Sequence, residues 1–247
     1  MAVAFDFGSE SYTGATTGSV SEASFTWSHN PVGTPRGVLI FVITMLNATQ
    51  HVTSVTYDGV DVPAVSGGAA VDSASEPGRC DVFFLGSSVP TTAPANVVVN
   101  RTNDAVEMWA VCITVTAAAD TEVNTAGIVL LQDDGTFAEQ NVDDGSPGTN
   151  SVRFAGTHSG LAGVPAAGAN STVVHGFDTG SNVAQVVRET TAGQGSRPVG
   201  FDSGTTDDRA AVHLAVREIV FTTAMAAGAR MNAAANPPRG SWKAVAY

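Results

Sequence analysis

The chain has 247 residues, a length at which one large β domain or two small ones can form. Hydrophobic residues make up 43% of it and charged residues only 14%, a balance that allows a buried core and excludes general disorder. The net charge of −12 disfavours a nucleic-acid partner, because it repels a polyanion at long range.

The sequence opens without a basic segment followed by an apolar one, so no secretory signal is expected and the protein is predicted to stay where it is made. The apolar run at residues 38–43, with Met45 beyond it, is far shorter than the roughly 20 residues of a membrane helix. No membrane span is expected.

Short segments rich in Val, Ile, Thr and Phe alternate with Gly, Pro, Asp and Asn clusters, and sustained helical periodicity is absent. This pattern predicts an all-β fold, a two-sheet antiparallel β-sandwich of the jelly-roll or lectin-like kind with extended terminal segments. The predicted strands span residues 3–7, 23–28, 37–46, 52–57, 60–65, 80–85, 96–101, 106–116, 128–131, 151–154, 172–177, 183–189, 198–201, 210–221 and 241–247.

Two features within these strands are specific. Segments 37–46 and 106–116 carry apolar residues in both alternating sets, which is typical of central strands covered on both faces. Asp58-Gly59 lies between two alternating segments and favours a two-residue hairpin turn, because both residues tolerate positive φ. Such a turn pairs Tyr57 with Val60 on the apolar face.

One domain is predicted, with N-terminal strands or an arm at 1–35, the sandwich at 36–219, and a C-terminal arm with a last strand at 220–247. The Asp-, Gly- and Pro-rich residues 132–169 could form a linker between two domains. The later strands complete the sheet count better than they form a second domain. The last strand either closes its own sandwich or reaches a neighbouring subunit.

The residues indicate no catalytic centre. No Ser lies in a Gly-x-Ser-x-Gly turn, and Gly193-Gln-Gly195 lacks the third Gly of a dinucleotide loop. We therefore expect that the protein is not an enzyme and carries no cofactor. A disulfide between Cys80 and Cys112 is possible in principle, but two buried free thiols are favoured in a chain without an export signal.

Two groups of residues, carboxylates in turns and histidines, are candidates for binding a metal ion. Carboxylates in acidic turns could offer oxygen ligands to Ca²⁺, but their spacing matches no calcium loop and favours solvated turns. The histidines lack ligand spacing; two in predicted strands could converge, but ordinary packed or surface histidines are favoured. The turn carboxylates are those of Asp133, Asp134, Asp143 and Asp144, and the histidines are His29, His51, His158, His175 and His213, of which His175 and His213 are the two in strands.

The segment Val52-Thr-Ser-Val-Thr-Tyr-Asp-Gly-Val60, the strand Cys80-Asp-Val-Phe-Phe-Leu-Gly86 and the valine run at 97–99 resemble a β-sandwich module of tailed-phage and bacterial surface proteins. In that family a VTSVTYGG hairpin precedes an LWYL strand and a repeated-valine strand. Asp58 stands where the family often has Gly, and an Asp-Gly turn accepts this change. The likeness extends from Pro35 to about Ile219.

The resemblance implies a virion structural protein, either a minor tail component or a capsid-decorating subunit, made in the host cytoplasm and located in the virion. It implies other virion proteins as partners and a homo-oligomer, with a trimer as the expected state. It implies no catalytic residues. Trp242 and Tyr247 are the candidate interaction residues, since large aromatic side chains near a chain end are effective anchors.

Two other functions are considered. A carbohydrate-binding module for host-surface recognition would stack loop aromatics such as Tyr12 or Phe137 on a host glycan, with nearby Asp residues accepting hydroxyl hydrogen bonds. A glycan depolymerase would need paired acids about 5–10 Å apart in a cleft, and no pair in the sequence is preferred.

Overall fold

The computed structural model describes residues 3–13, 23–102, 106–145, 150–160, 163–202 and 206–219. Within these ranges the protein is built of strands and one 3₁₀ turn at Thr125–Gly127, which confirms the all-β prediction. The strands are β1 Ala4–Thr13, β2 Ser24–His29, β3 Gly37–Met45, β4 Val52–Tyr57, β5 Val60–Asp61, β6 Ala64–Asp72, β7 Gly78–Leu85, β8 Ala95–Arg101, β9 Glu107–Thr116, β10 Thr121–Val123, β11 Val129–Gln132, β12 Gly135–Thr136, β13 Glu139–Val142, β14 Ser151–Ser159, β15 Ser171–Asp178, β16 Val183–Glu189, β17 Arg197–Gly200, β18 Thr206–Asp207 and β19 Arg209–Glu218.

The strands form two large antiparallel sheets and smaller sheets that cover them. The first large sheet has the order β1-β9-β3-β7-β6, and the second has the order β10-β19-β14-β16-β15, with β11 also paired to β19. The first cover sheet is β2-β8-β4-β5, and the second cover sheet is β13-β17, extended by a bridge between Ala167 and Phe201. Strands β12 and β18 form a separate ribbon.

The first large sheet lies between the first cover sheet and the second large sheet. In β3 the even-numbered side chains Val38, Ile40 and Val42 pack into the core under the first cover sheet. The odd-numbered Leu39 and Phe41 pack against the second large sheet. Every residue of β3 is buried, and β9 is nearly as buried. The prediction that these two strands are central is confirmed.

The sandwich is therefore confirmed, and it has more layers than the two sheets that were predicted. Because β3 and β9 are apolar on both faces, each face of the first large sheet needs its own covering sheet. The second large sheet is covered in turn by the second cover sheet, with Phe137, Val187, Val199 and Phe201 in the third core.

The two large sheets have the same strand order. Reading β10, β14, β15, β16 and β19 in place of β1, β3, β6, β7 and β9 converts one order into the other. The contacts between the sheets follow this exchange in part: β7 contacts β14 as β16 contacts β3, whereas β1 contacts β15 and β6 contacts β11, the second strand paired with the same edge of β19 as β10. The described chain thus contains two topologically equivalent halves packed face to face.

The halves approach each other closely where β3 crosses β14. Gly156 in β14 faces the ring of Phe41, and a Cβ atom at Gly156 would lie 2.3 Å from Phe41 Cδ1. The close approach of the sheets at this crossing therefore depends on the missing side chain.

The hairpin prediction is confirmed at its turn. Asp58 and Gly59 have φ values of 47° and 80°, and Tyr57 pairs with Val60. The strand predicted at 60–65, however, is two strands in different sheets. It breaks at Pro63, which has no N–H to donate to a ladder, and the chain there passes from the first cover sheet to the first large sheet.

Several other boundaries differ from the predictions. Strand β14 continues through buried polar residues to Ser159, and residues 132–169 contain β12, β13 and β14, so they are not a plain linker. The N-terminal strands β1 and β2 belong to the first large sheet and the first cover sheet. The predicted strand at 241–247 lies outside the described residues, and the division into 1–35, 36–219 and 220–247 stays a prediction.

Cys80 and Cys112 are buried free thiols. Cys80 packs between the two large sheets, whereas Cys112 packs under the first cover sheet. The first large sheet itself therefore separates the two sulfur atoms. Among the described residues no helix is long and apolar enough to cross a membrane.

We expect Gly156→Ala to lower the free energy of unfolding by about 1–3 kcal/mol, because the added methyl group overpacks the crossing of β3 and β14. Gly176→Ala is the matched control in the same sheet, since its Cβ would have no neighbour nearer than 3.6 Å. Urea denaturation of the two variants measures the difference. Equal stability losses would contradict the close packing at Gly156.

Candidate functional site

A chain of hydrogen bonds joins β2 of the first cover sheet to β1 and β9 of the first large sheet. The side chain of Trp27 donates from Nε1 to Ser9 Oγ at 3.0 Å, and Ser9 Oγ lies 2.7 Å from His29 Nδ1. On the far side of the ring, His29 Nε2 lies 3.3 Å from Thr114 Oγ1, which donates to Asp6 Oδ2.

One tautomer satisfies this chain. With the proton on Nε2, His29 accepts from Ser9 and donates to Thr114, whose own hydroxyl proton goes to Asp6. Burial lowers the pKa of His29 to about 4, so the ring is neutral at pH 7. The chain thus fixes the orientation of Asp6 from inside the core.

A hydrogen bond between Ser and His is the pairing that activates serine nucleophiles. Here the low pKa makes His29 a weak base, and its second nitrogen faces Thr114 instead of a carboxylate. The arrangement therefore suits the positioning of Asp6 better than the attack of Ser9 on a substrate. The prediction that the protein is not an enzyme remains a prediction.

Asp6 opens into a pocket at one end of the first large sheet. The pocket has a volume of about 430 Å³ and is lined by Asp6, by the loop before β3 and by the end of β9. The pKa of Asp6 is raised by burial and lowered in part by hydrogen bonds from Thr114 and the Val32 N–H. On the loop, Arg36 is 44% exposed and lies 3.9 Å from Asp120.

A second polar group holds the loop between β6 and β7. Asp208 Oδ2 accepts from Ser75 Oγ at 2.6 Å and from the Glu76 N–H at 2.8 Å. It joins the first large sheet to the start of β19 in the second. The interaction between the carboxyl groups of Asp134 and Asp208 raises the pKa of Asp134 and lowers that of Asp208.

Asp72 is the buried member of this carboxylate group. It is fully buried, and while Oδ1 accepts from the Ala74 N–H, Oδ2 has no hydrogen-bond partner. Burial raises its pKa to about 6; the Ala74 N–H opposes the shift, and the charges of Asp208, Asp133 and Asp134 increase it. The negative form of Asp72 is therefore the unfavourable one in the folded protein.

A buried ion network fixes the second cover sheet. The fully buried Arg153 lies 3.1 Å from Glu189 and 3.5 Å from Asp144. Its guanidinium also donates to the carbonyl oxygens of Val142 and Gly193. This network was not predicted from the sequence, although an Arg between Val152 and Phe154 in a predicted strand is a signal for it, since a fully buried Arg needs a partner.

The candidate sites of the sequence analysis have different outcomes. Trp242 and Tyr247 lie outside the described residues. Tyr12 lies in β1, but its side chain is not among those described. Phe137 is wrong as a glycan-stacking residue, because it is fully buried against Phe201. A Phe next to an acidic turn has the sequence pattern of a loop aromatic, but here it fills the third core.

The histidines and acidic turns do not converge on a metal site. His175 Nε2 donates to the Gly8 carbonyl on the first large sheet, while His213 packs against Phe201 on the opposite face of the second. Asp144 is buried with Arg153 rather than solvated. In the part of the chain that the structure describes, no three His, Cys, Asp or Glu side chains are grouped to hold a metal ion.

Compared with known proteins, the chain matches no protein family, no curated protein and no solved structure. The family resemblance therefore depends on the residues that carry it in this sequence.

The raised pKa of Asp72 gives a pH dependence. A folded-state pKa of about 6, above the ordinary value of 3.8 for Asp, means that Asp72 contributes its full stability below about pH 4. That contribution is lost as the pH rises to about 6. We expect Asp72→Asn, which keeps the Oδ1 acceptor, to raise the free energy of unfolding by about 1 kcal/mol at pH 7, after allowance for solvent screening.

The same variant should leave the stability at pH 4 nearly unchanged. Urea denaturation at both pH values measures this difference, with the exposed Asp61→Asn as the matched control. An Asp72→Asn variant that is less stable than the parent at pH 7 would overturn the assignment.

Proposed function

We propose that the protein is a structural subunit of a tailed-phage particle, either tail-associated or capsid-decorating, that works through contacts with neighbouring protein subunits. The observation that carries the proposal is the resemblance at residues 52–60, 80–86 and 97–99. These segments lie in β4, β5 and β8 of the first cover sheet and in β7 of the first large sheet. The quoted motif is thus part of the scaffold.

The packing of the cores supports the role of a rigid structural subunit. The two large sheets and their covers enclose three separate apolar cores, and the second cover sheet is further tied by the ion network of Arg153. Closely packed interiors of this kind have low compressibility and transmit strain. Such a body presents its surface to a neighbour without rearranging.

Open strand edges offer places for subunit contacts. Strand β15 ends the second large sheet, and Val173 in its centre is 46% exposed. A strand edge with an apolar side chain can pair with a strand of another chain. We propose that the protein forms a homo-oligomer, with a trimer as the expected state, and that its other partners are virion proteins. Head and tail positions place the same demands on this fold.

An antibody raised against the purified protein tests the location. We expect it to detect the chain in density-gradient-purified phage particles from the source culture, at a constant ratio to the major capsid protein. Cryo-EM of the same particles should then show density of the size of this sandwich on the head or the tail. Detection only in the particle-free supernatant, despite expression, would refute the proposal.

The C-terminal aromatics give a second test. We expect Trp242→Ala combined with Tyr247→Ala to reduce incorporation into particles about tenfold or more, because buried aromatic anchors often contribute 2 kcal/mol or more to an interface. Unfolding of the isolated variant should match that of the parent. A variant that loses stability but assembles normally would assign both side chains to the chain's own core.

A further inference from the structure

We propose that the pocket between Asp6 and Arg36 binds a neutral hexose unit of a surface glycan. The proposal names a ligand for the particle subunit, yet it does not depend on the particle, because binding is a property of the isolated protein. The pocket has a volume of about 430 Å³, which lies within the range of about 300–1,000 Å³ typical of small-molecule sites.

The loop that forms one wall is fixed at both ends. The N–H of Val32 donates to Asp6, and the N–H of Arg36 donates to the Val115 carbonyl at 2.8 Å. The carbonyl oxygen of Arg36 accepts from Thr121 Oγ1 at 2.8 Å. A binding wall held on both sides loses little conformational entropy when a ligand enters.

The acceptor in the pocket is also held in place. Asp6 is the last member of the hydrogen-bond chain through Thr114 and the fully buried His29 to Ser9. Buried hydrogen bonds behind a binding group keep it in one orientation, which is how binding sites achieve precise geometry. Asp6 therefore presents its carboxylate to the pocket in a defined direction.

The charges at the pocket disfavour an anionic ligand. Asp6 and the nearby Asp120 outnumber Arg36, which lies 3.9 Å from Asp120, so the local net charge is negative and repels an anion. A sugar hydroxyl both donates and accepts, so adjacent hydroxyls can donate to Asp6 and accept from Arg36. Hydrogen bonds of this kind to charged groups are among the stronger ones.

The remaining walls suit the other parts of a sugar ring. Val32 is 64% exposed and lines the pocket together with Ala117, which gives the ring's C–H groups an apolar surface. Thr34 and Thr116 line the same pocket and add two hydroxyl groups. The aliphatic side chain of Val32 thus takes the place of the stacking aromatic residue that was predicted from the sequence.

Amide NMR of the full ¹⁵N-labelled chain tests the proposal. Glucose, galactose, mannose and N-acetylglucosamine are titrated separately, with glucuronate as the charged counterpart. We expect at least one neutral sugar to shift the amides of Val32, Gly33, Thr34, Arg36 and residues 114–117 in a saturable way, and glucuronate to bind about tenfold more weakly or not at all.

Two variants locate the site. Arg36→Ala removes a largely exposed side chain and should weaken sugar binding about tenfold, roughly the effect of losing one hydrogen bond to a charged group. Thr116→Val keeps the side-chain shape and should weaken binding several-fold. Thr56→Val, on a strand outside the pocket, is the matched control and should bind like the parent.

Three results would overturn the proposal: no shift with any neutral sugar, shifts confined to another surface, or unchanged affinity in both pocket variants. Stronger binding of glucuronate than of its neutral counterpart would overturn the charge selection on which the proposal depends. A protein that is absent from particles but binds the sugar at this pocket would refute the structural role alone. A protein present in particles without sugar binding would refute this inference alone.

Discussion

The burial of both faces of β3 is the constraint on which the rest of the structure depends. A strand with apolar side chains on both faces requires two covering layers, and those layers in turn have outer faces of their own. The outer face of the first cover sheet is mostly polar and needs no further covering layer. The second large sheet, in contrast, carries a third core on its far side. The layer count thus follows from two unusually apolar strands.

Polar groups lie at the seams between these layers, where sheets or loops must be held in register. Asp208 connects the loop after β6 to β19, Arg153 connects β14 to the second cover sheet, and His29 connects β2 to β9. Each is buried, so its hydrogen bonds are needed to offset the loss of water. The same requirement that joins β2 to β9 also orients Asp6 at the pocket.

Local patterns in the sequence predicted much of the fold, because they act over a few residues. Alternation identified most strands, continuous apolar character identified β3 and β9, and the Asp58-Gly59 turn followed from its backbone angles. The additional layers were not predictable in this way, since a doubly apolar strand reveals that both faces are covered but not by which segment. Phe137 failed for the same reason: a buried and an exposed loop aromatic have the same local sequence.

The polar seams were out of reach because their members come from distant strands. The buried Asp72 and the turn that holds Asp133 look alike as acidic residues beside turns, and only the packing of β6 against the second large sheet separates them. Arg153 and Glu189 likewise gain their meaning from the pairing of β14 with β16. A sequence shows which side chains are unusual for their segment, but the partner emerges only with the sheet order.

Strand β19 has a mechanical consequence for whatever follows it. It is paired along its length with β14 on one side and with β10 and β11 on the other, so β19 is an interior strand. Backbone hydrogen bonds in antiparallel pairs lie across the strand direction. Tension along β19 therefore loads two rows of these bonds in shear at once, instead of peeling them open singly as at a sheet edge. A pull along β19 is thereby resisted at the same time by its pairing with β14 and by its pairing with β10 and β11.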